Sequence, residues 1–323
     1  MSMVLSHGTA LEMYRSSLMP VAKWERVAFE SLSVPTQSDV LWFRSLPIKT
    51  NHFPLHCVVP KASNRREIKD GRCHVLGCQM EAIRLRRSAD GSSLCVVSPE
   101  VLFLQMAASL SAIELVRLGF ELCGNYSLPM SQPNYAGTPR GFVAREALTS
   151  VMELSEFVAS HASSRSVKNA RAALRYIADG SASPKQTELC MLMVLPRKMG
   201  GYGLAAPSCS CASGTPEDTA AYLSGKARSF GLCWPAAGIA IRYGTGGNGG
   251  AKRPGRDCRR CALPSYSDMK VLSVSNRDIR HSEKLDGIAD AVARKHGRYL
   301  RRDLRYDFAA RQATLREQVL SGN

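Results

Sequence analysis

The sequence predicts an α/β chain in two parts, and three observations carry that prediction. Short β-prone runs crowd the first third, with Leu55-His-Cys-Val-Val59 and Ser93-Leu-Cys-Val-Val97 the clearest. Helix starts marked by serine caps follow at Ser98, Ser111, Ser150 and Ser183. Two more apolar runs, from Ser229 to Trp234 and from Gly238 to Tyr243, then flank Pro235-Ala-Ala-Gly238 at hairpin spacing.

In order along the chain, Val4 to Arg15 is expected to be a short helix, with Leu5, Ala10, Leu11 and Tyr14 near helical spacing. The segment from Pro20 to Asn64 carries prolines at 20, 35, 47, 54 and 60 and reads as irregular until the strand at Leu55. Arg72-Cys-His-Val-Leu76, Ile83-Arg-Leu-Arg86 and Ser93 to Val97 read as further strands. Ser98-Pro99-Glu100 combines a capping hydroxyl, a proline at the first helical position and an acid in the first turn. Ser111-x-x-Glu114 is a capping box that opens the next helix. The stretch Pro129 to Gly141 ends this first module.

Ser150-x-x-Glu153 and Ser166 start two more helices, the second closing at Gly180. Ser183-Pro184 opens a helix to about Leu195. The hairpin runs then lead through a glycine-rich loop to a basic helical segment, Arg256 to Leu263, and a third strand, Lys270 to Ser275. Two helices close the chain, Glu283 to Lys295 and Leu304 to Val319.

With 323 residues, 45% hydrophobic and 22% charged, the chain has enough material for two cores. No run of eighteen apolar residues occurs, so no membrane partner is expected. Eleven cysteines at irregular spacing, with no export signal, fit reduced thiols in the cytoplasm. A net charge of +16 and a pI near 9.6 raise affinity for polyanions, although the basic residues lie in small dispersed groups.

Cys233-Trp-Pro-Ala-Ala-Gly-Ile-Ala-Ile-Arg-Tyr243, Arg256-Asp257 and Lys270-Val-Leu-Ser-Val274 carry a resemblance. They are similar to an actinobacterial endonuclease-like domain related to very-short-patch-repair endonucleases and to the PD-(D/E)XK nucleases. Val4 to Arg15 and the serine-proline-glutamate turn at Ser98 resemble AbiEi-type antitoxins. The chain begins after the position of that family's helix-turn-helix, so antitoxin-style operator binding is not expected. The resemblance implies an antitoxin-like α+β domain over 1–140, a helical connector over 141–180, and a restriction-endonuclease-like domain over 181–323 with a mixed sheet flanked by helices.

Such nucleases hold a divalent cation with carboxylate oxygens, and the cation activates the attacking water. The positions where the family has acids are Gln186, Gly231, Arg242 and Gly244 here. No catalytic residue is therefore expected to be intact, and no cofactor is expected. The resemblance implies a catalytically degenerate nuclease-like protein that binds nucleic acid or a partner protein in a defence or toxin-antitoxin setting. Lys252, Arg253, Arg256, Arg259, Arg260 and Lys270 are the candidate nucleic-acid contacts. One alternative is a magnesium-dependent DNA endonuclease with displaced carboxylates from Glu188, Asp257 or Asp268. The other is a non-functional remnant.

Gly244-Thr-Gly246-Gly-Asn-Gly249 matches a dinucleotide-loop spacing, but Pro254 and Gly255 interrupt the helix that should follow, so it reads as a loop. Cys209, Cys211, Cys258 and Cys261 could form a four-thiolate zinc site, against a reading as unpaired thiols. His56 and His74, beside Cys57 and Cys73, show no regular ligand spacing and read as strand-end or loop histidines next to free thiols.

Overall fold

The computed structural model describes residues 2–16, 25–28, 34–46, 53–75, 81–87, 93–129, 141–161, 165–209, 231–244, 270–280, 282–300 and 306–320. The fold is mixed α/β and divides into two compact units, Met1–Arg175 and Tyr176–Asn323.

In the first unit the strands are β1 (Ser2–Leu5), β2 (Glu25–Ala28), β3 (Leu55–Val59), β4 (Gly71–Val75), β5 (Glu81–Arg87) and β6 (Ser93–Val97). They form one sheet in the order β2-β5-β6-β1-β3-β4, with β1/β6 and β3/β4 parallel and the other pairs antiparallel.

The N-terminus corrects the sequence expectation. Val4 and Leu5 belong to β1, and the helix α1 begins only at His7 (His7–Arg15). Met3, Val4 and Leu5 are buried at the centre of the sheet, where a continuous apolar run suits a strand covered on both faces. The described residues before β3 also depart from the irregular reading. They contain α2 (Gln37–Ser45), opened by a Thr36/Asp39 capping box and anchored by buried Val40 and Phe43.

The capped helices stand where the serines set them. They are α3 (Pro99–Met106), α4 (Ala112–Leu122) with the Ser111/Glu114 box, and α5 (Val151–Ala159) with the Ser150/Glu153 box. A short hairpin, β7 (Tyr126–Ser127) with β8 (Val143–Ala144), follows α4. Helix α6 (Arg165–Leu174) ends before Gly180, yet Ile177 beyond it is still buried. Helices α5 and α6 pack on α3 and α4, so most of the segment expected as a connector belongs to the first core.

A buried ionic knot joins α1 to α4. The Arg15 guanidinium donates twice to the Glu121 carboxylate, at 2.8 and 2.6 Å, and the backbone N–H of Leu128 donates to the same carboxylate at 3.1 Å. Arg145 donates to the carbonyl oxygens of Tyr126, Tyr14 and Glu121. Burial opposes charge on Glu121, but Arg15, Arg145 and the Leu128 hydrogen bond outweigh it and hold the carboxyl below its ordinary range.

The second unit opens with α7 (Pro184–Val194), buried on all sides, as its continuous apolar run requires. A glycine turn follows. Gly200 has φ +93°, and a Cβ on it would overlap the backbone of Arg311, while one on Gly201 would overlap the carbonyl of Leu195. Only glycine permits both close approaches. The sheet of this unit is β9 (Leu232–Trp234), β10 (Ile239–Gly244) and β11 (Lys270–Ser275). Strand β10 is antiparallel to β9 across Gly238, at φ +60°, and parallel to β11. The three strands lie where the sequence placed them. The expected basic helix at 256–263 lies outside the described residues.

Helices α8 (Asn276–Arg280), α9 (Ser282–Lys295) and α10 (Tyr306–Leu320) close the unit. The stripe Leu285, Ile288, Ala289 and Val292 is buried, as its period predicts. On α10 the buried residues are Gln312, Leu315 and Val319, and Ala309 is exposed. No helix among the described residues is long and apolar enough to cross a membrane.

Candidate functional site

Ser183 and Pro184 set the start of α7, and the Ser183 hydroxyl accepts from the backbone of Gln186 at 3.2 Å. That fixes Gln186 in the first turn with its side chain inside the unit. Its Oε1 accepts from the N–H of Ala182 at 2.8 Å. Its Nε2 donates to the carbonyl of Cys209 at 2.7 Å and to the carbonyl of Gly231. Gly231 in turn donates from its N–H to the carbonyl of Ile241 at 2.7 Å, which puts it beside the start of Arg242 on β10. Gln186, Gly231 and the backbone of Arg242 are therefore brought together, and Gly244 follows two residues on at the end of β10.

The amide uses both of its functions there. A buried amide has one carbonyl to satisfy and two N–H bonds to donate, and the three partners account for all of them. A carboxylate in the same pose would face two carbonyl oxygens without a proton to offer.

Glu188, the described candidate for a displaced carboxylate, is buried and accepts from Lys185 Nζ at 2.8 and 3.1 Å on the same helix. Asp257 and Asp268 lie outside the described residues, as do Lys252, Arg253, Arg256, Arg259 and Arg260. Lys270 is exposed at the start of β11, paired with Ile239, whereas Gly244 pairs with Ser275 at the opposite end of the same ladder. Lys270 therefore stands two residues along β10 from Ile241, whose carbonyl accepts from Gly231, and at the far end of the ladder from Gly244.

The proposed thiolate site is only partly described. Cys209 is buried and hydrogen-bonded to Cys190 of α7, and burial followed by Cys209 pushes the Cys190 thiol well up. Cys211, Cys258 and Cys261 lie outside the described residues.

A basic and aromatic groove was not visible as a unit in the sequence. Arg197, Tyr202, Arg298, Tyr299 and Leu300 line it. Arg298 is exposed, Tyr299 is 85% exposed, and the Arg197 guanidinium lies 4.6 Å from the centre of the Phe308 ring. Arg298 opens the basic run Arg298-Tyr-Leu-Arg-Arg302 of the sequence. Its company with Arg197 depends on the fold returning α9 to the end of α7.

The first unit holds a second feature that spacing concealed. His7 at the start of α1, His56 on β3 and His74 on β4 converge, and their ligating nitrogens all lie within 4.8 Å of one another. His74 Nε2 is 3.0 Å from His56 Nδ1, and the His7 and His74 rings stack with centroids 4.0 Å apart. His56 pairs with Arg72, Cys57 with Cys73 and Val58 with His74. Period two then sends His56, Arg72 and His74 to one face and both cysteines to the other. The expected company of histidines and thiols is therefore replaced by a group of three histidines. Burial, then His74, His56 and Arg72, lowers His7 to about 3. Burial, then His56, Arg72 and Arg65, lowers His74 to about 4.

Comparison of the chain with protein-family models, with curated proteins and with solved structures gave no match.

Proposed function

We propose that the chain is a catalytically degenerate nuclease-like protein that acts by binding nucleic acid in a defence or toxin-antitoxin setting. The observation that carries the reading is the convergence of Gln186, Gly231 and the Arg242 backbone. Positions that the family resemblance assigns to acids meet in one place, on a helix and a mixed three-stranded sheet, and the described groups there are an amide and backbone. Cation-assisted phosphodiester cleavage needs hard oxygen ligands with negative charge, and these groups supply none of it.

Binding rests on other features. The net charge of +16 favours a polyanion, and the groove offers Arg197 and Arg298 for phosphates beside Tyr299, whose exposed ring suits base stacking. Binding of single-stranded DNA by the purified chain is expected to weaken steeply between low and high salt. Tyr299→Ala is expected to cost about 1–3 kcal/mol, the worth of one stacked base. Binding that ignores salt would move the function to a protein partner, and salt-sensitive binding that is unchanged in Tyr299→Ala and Arg298→Gln would move the nucleic-acid site away from this groove.

A further inference from the structure

We propose that His7, His56 and His74 bind a divalent transition-metal ion of the zinc class, at a site separate from the nuclease-like positions of the second unit. The three imidazoles come from three elements, the β1–α1 junction, β3 and β4, and bring their ligand atoms within 4.8 Å of one another. Zinc holds imidazole nitrogens at about 2.0–2.1 Å, so ligand nitrogens in a tetrahedral site stand about 3.3 Å apart. The 3.0 Å separation of His56 Nδ1 and His74 Nε2 is already close to that edge. Shifts of roughly an ångström would bring the third nitrogen in, well within the reach of side-chain rotation.

The donor set selects the class of ion. Neutral imidazole suits zinc, cobalt, nickel and copper, whereas calcium and magnesium require oxygen ligands. No carboxylate is part of the group, and the thiols of Cys57 and Cys73 lie on the far face of the sheet. Three protein ligands leave a further coordination position, which is the arrangement of a site open to water or a small ligand.

Two further features favour a ligand here over simple packing. His7 has φ +50°, in the left-handed region that costs a non-glycine residue roughly 1–2 kcal/mol, and this conformation presents its ring to the other two. Its backbone is held there by Gln105, whose Oε1 accepts from His7 N–H at 3.3 Å. Its Nδ1 lies 3.1 Å from the Ser6 hydroxyl, a neighbour suited to fixing the tautomer so that Nε2 is free to ligate. Arg72 lies on the same face and opposes a cation. It is exposed, so its charge is screened and weakens binding without preventing it.

The test is cobalt binding by the full chain under reducing conditions, followed by visible absorption and by competition with zinc. One cobalt ion per chain is expected, with d–d bands of low coordination number and without thiolate charge-transfer bands. His56→Gln and His74→Gln are each expected to weaken binding at least about 100-fold, since even loss of an outer hydrogen-bonding partner costs 10–100-fold. Cys73→Ala, on the opposite face, is expected to leave affinity unchanged. Absence of cobalt and zinc binding at micromolar concentration would overturn the proposal. So would binding that carries thiolate bands and persists in both histidine variants. The wild-type spectrum alone is decisive on ligand type if a histidine variant fails to fold.

Discussion

Glu121→Ala is expected to destabilise the first unit by about 3–5 kcal/mol, because removal of one partner of a buried ion pair leaves the other charge uncompensated. Glu121 is 1% exposed, and it receives two hydrogen bonds from Arg15 and one from the backbone of Leu128. Loss of the carboxylate also frees Leu128 N–H, immediately after β7. Glu121→Gln is expected to be milder, since its oxygen retains one acceptor. The pH dependence follows from the sign of the shift. The carboxyl is held below its ordinary value in the folded unit, so its contribution is complete above the unfolded value of about 4.3 and disappears as pH falls through the lower native one. Urea unfolding of the wild type between pH 6 and pH 3 is expected to show this acid loss, and Glu121→Ala is expected to lack it. Equal acid sensitivity of the two proteins would show that the knot does not govern acid stability.

Gln186→Glu is the second large effect, and its direction is the informative part. The family resemblance assigns a glutamate to this position. Here the amide donates to the carbonyls of Cys209 and Gly231, and a carboxylate would set like charge densities against each other in a buried setting. Two hydrogen bonds are lost and the acceptors are left unsatisfied, at roughly 1–3 kcal/mol each. The substitution is therefore expected to weaken the second unit by about 2–6 kcal/mol at neutral pH. It is expected to gain no cleavage. The defect should shrink in acid, where a protonated carboxyl can donate one of the missing bonds. A Gln186→Glu protein as stable as the wild type at neutral pH would mean that this corner still accommodates an acid.

The parts of the fold legible in the sequence were those whose signals are local. Ser98, Ser111 and Ser150 each cap a helix because side-chain oxygen and first-turn N–H are neighbours in the chain. The β9–β10 hairpin was equally readable from Pro235 to Gly238, whose glycine takes the left-handed conformation the turn needs. Ser2 to Leu5 was not, since a short apolar run fits a strand or a helix, and its place between β6 and β3 is decided by partners about fifty and ninety residues away. The capping box at Thr36 was present in the sequence but masked by the surrounding prolines.

The sites divide in the same way. The family resemblance singled out Gln186 and Gly231, but no spacing reveals that the side chain of one reaches the carbonyl of the other. The place of Lys270 at the opposite end of the ladder from Gly244 follows from the parallel register that sets it opposite Ile239, and no spacing in the chain reveals it. The histidine group was hidden for a physical reason. Ligands on β3, β4 and the β1–α1 junction are joined by sheet pairing, which leaves no regular interval in the chain.

The most direct measurement for the account as a whole is nucleic-acid binding and cleavage by the same preparation, with magnesium, with manganese and with chelator. Salt-sensitive DNA binding that leaves the DNA intact in all three conditions is the result predicted from an amide at residue 186 and a glycine at residue 231. Cleavage that requires either metal and stops with chelator would contradict it, and would return Glu188, Asp257 and Asp268 as the carboxylates to replace one at a time.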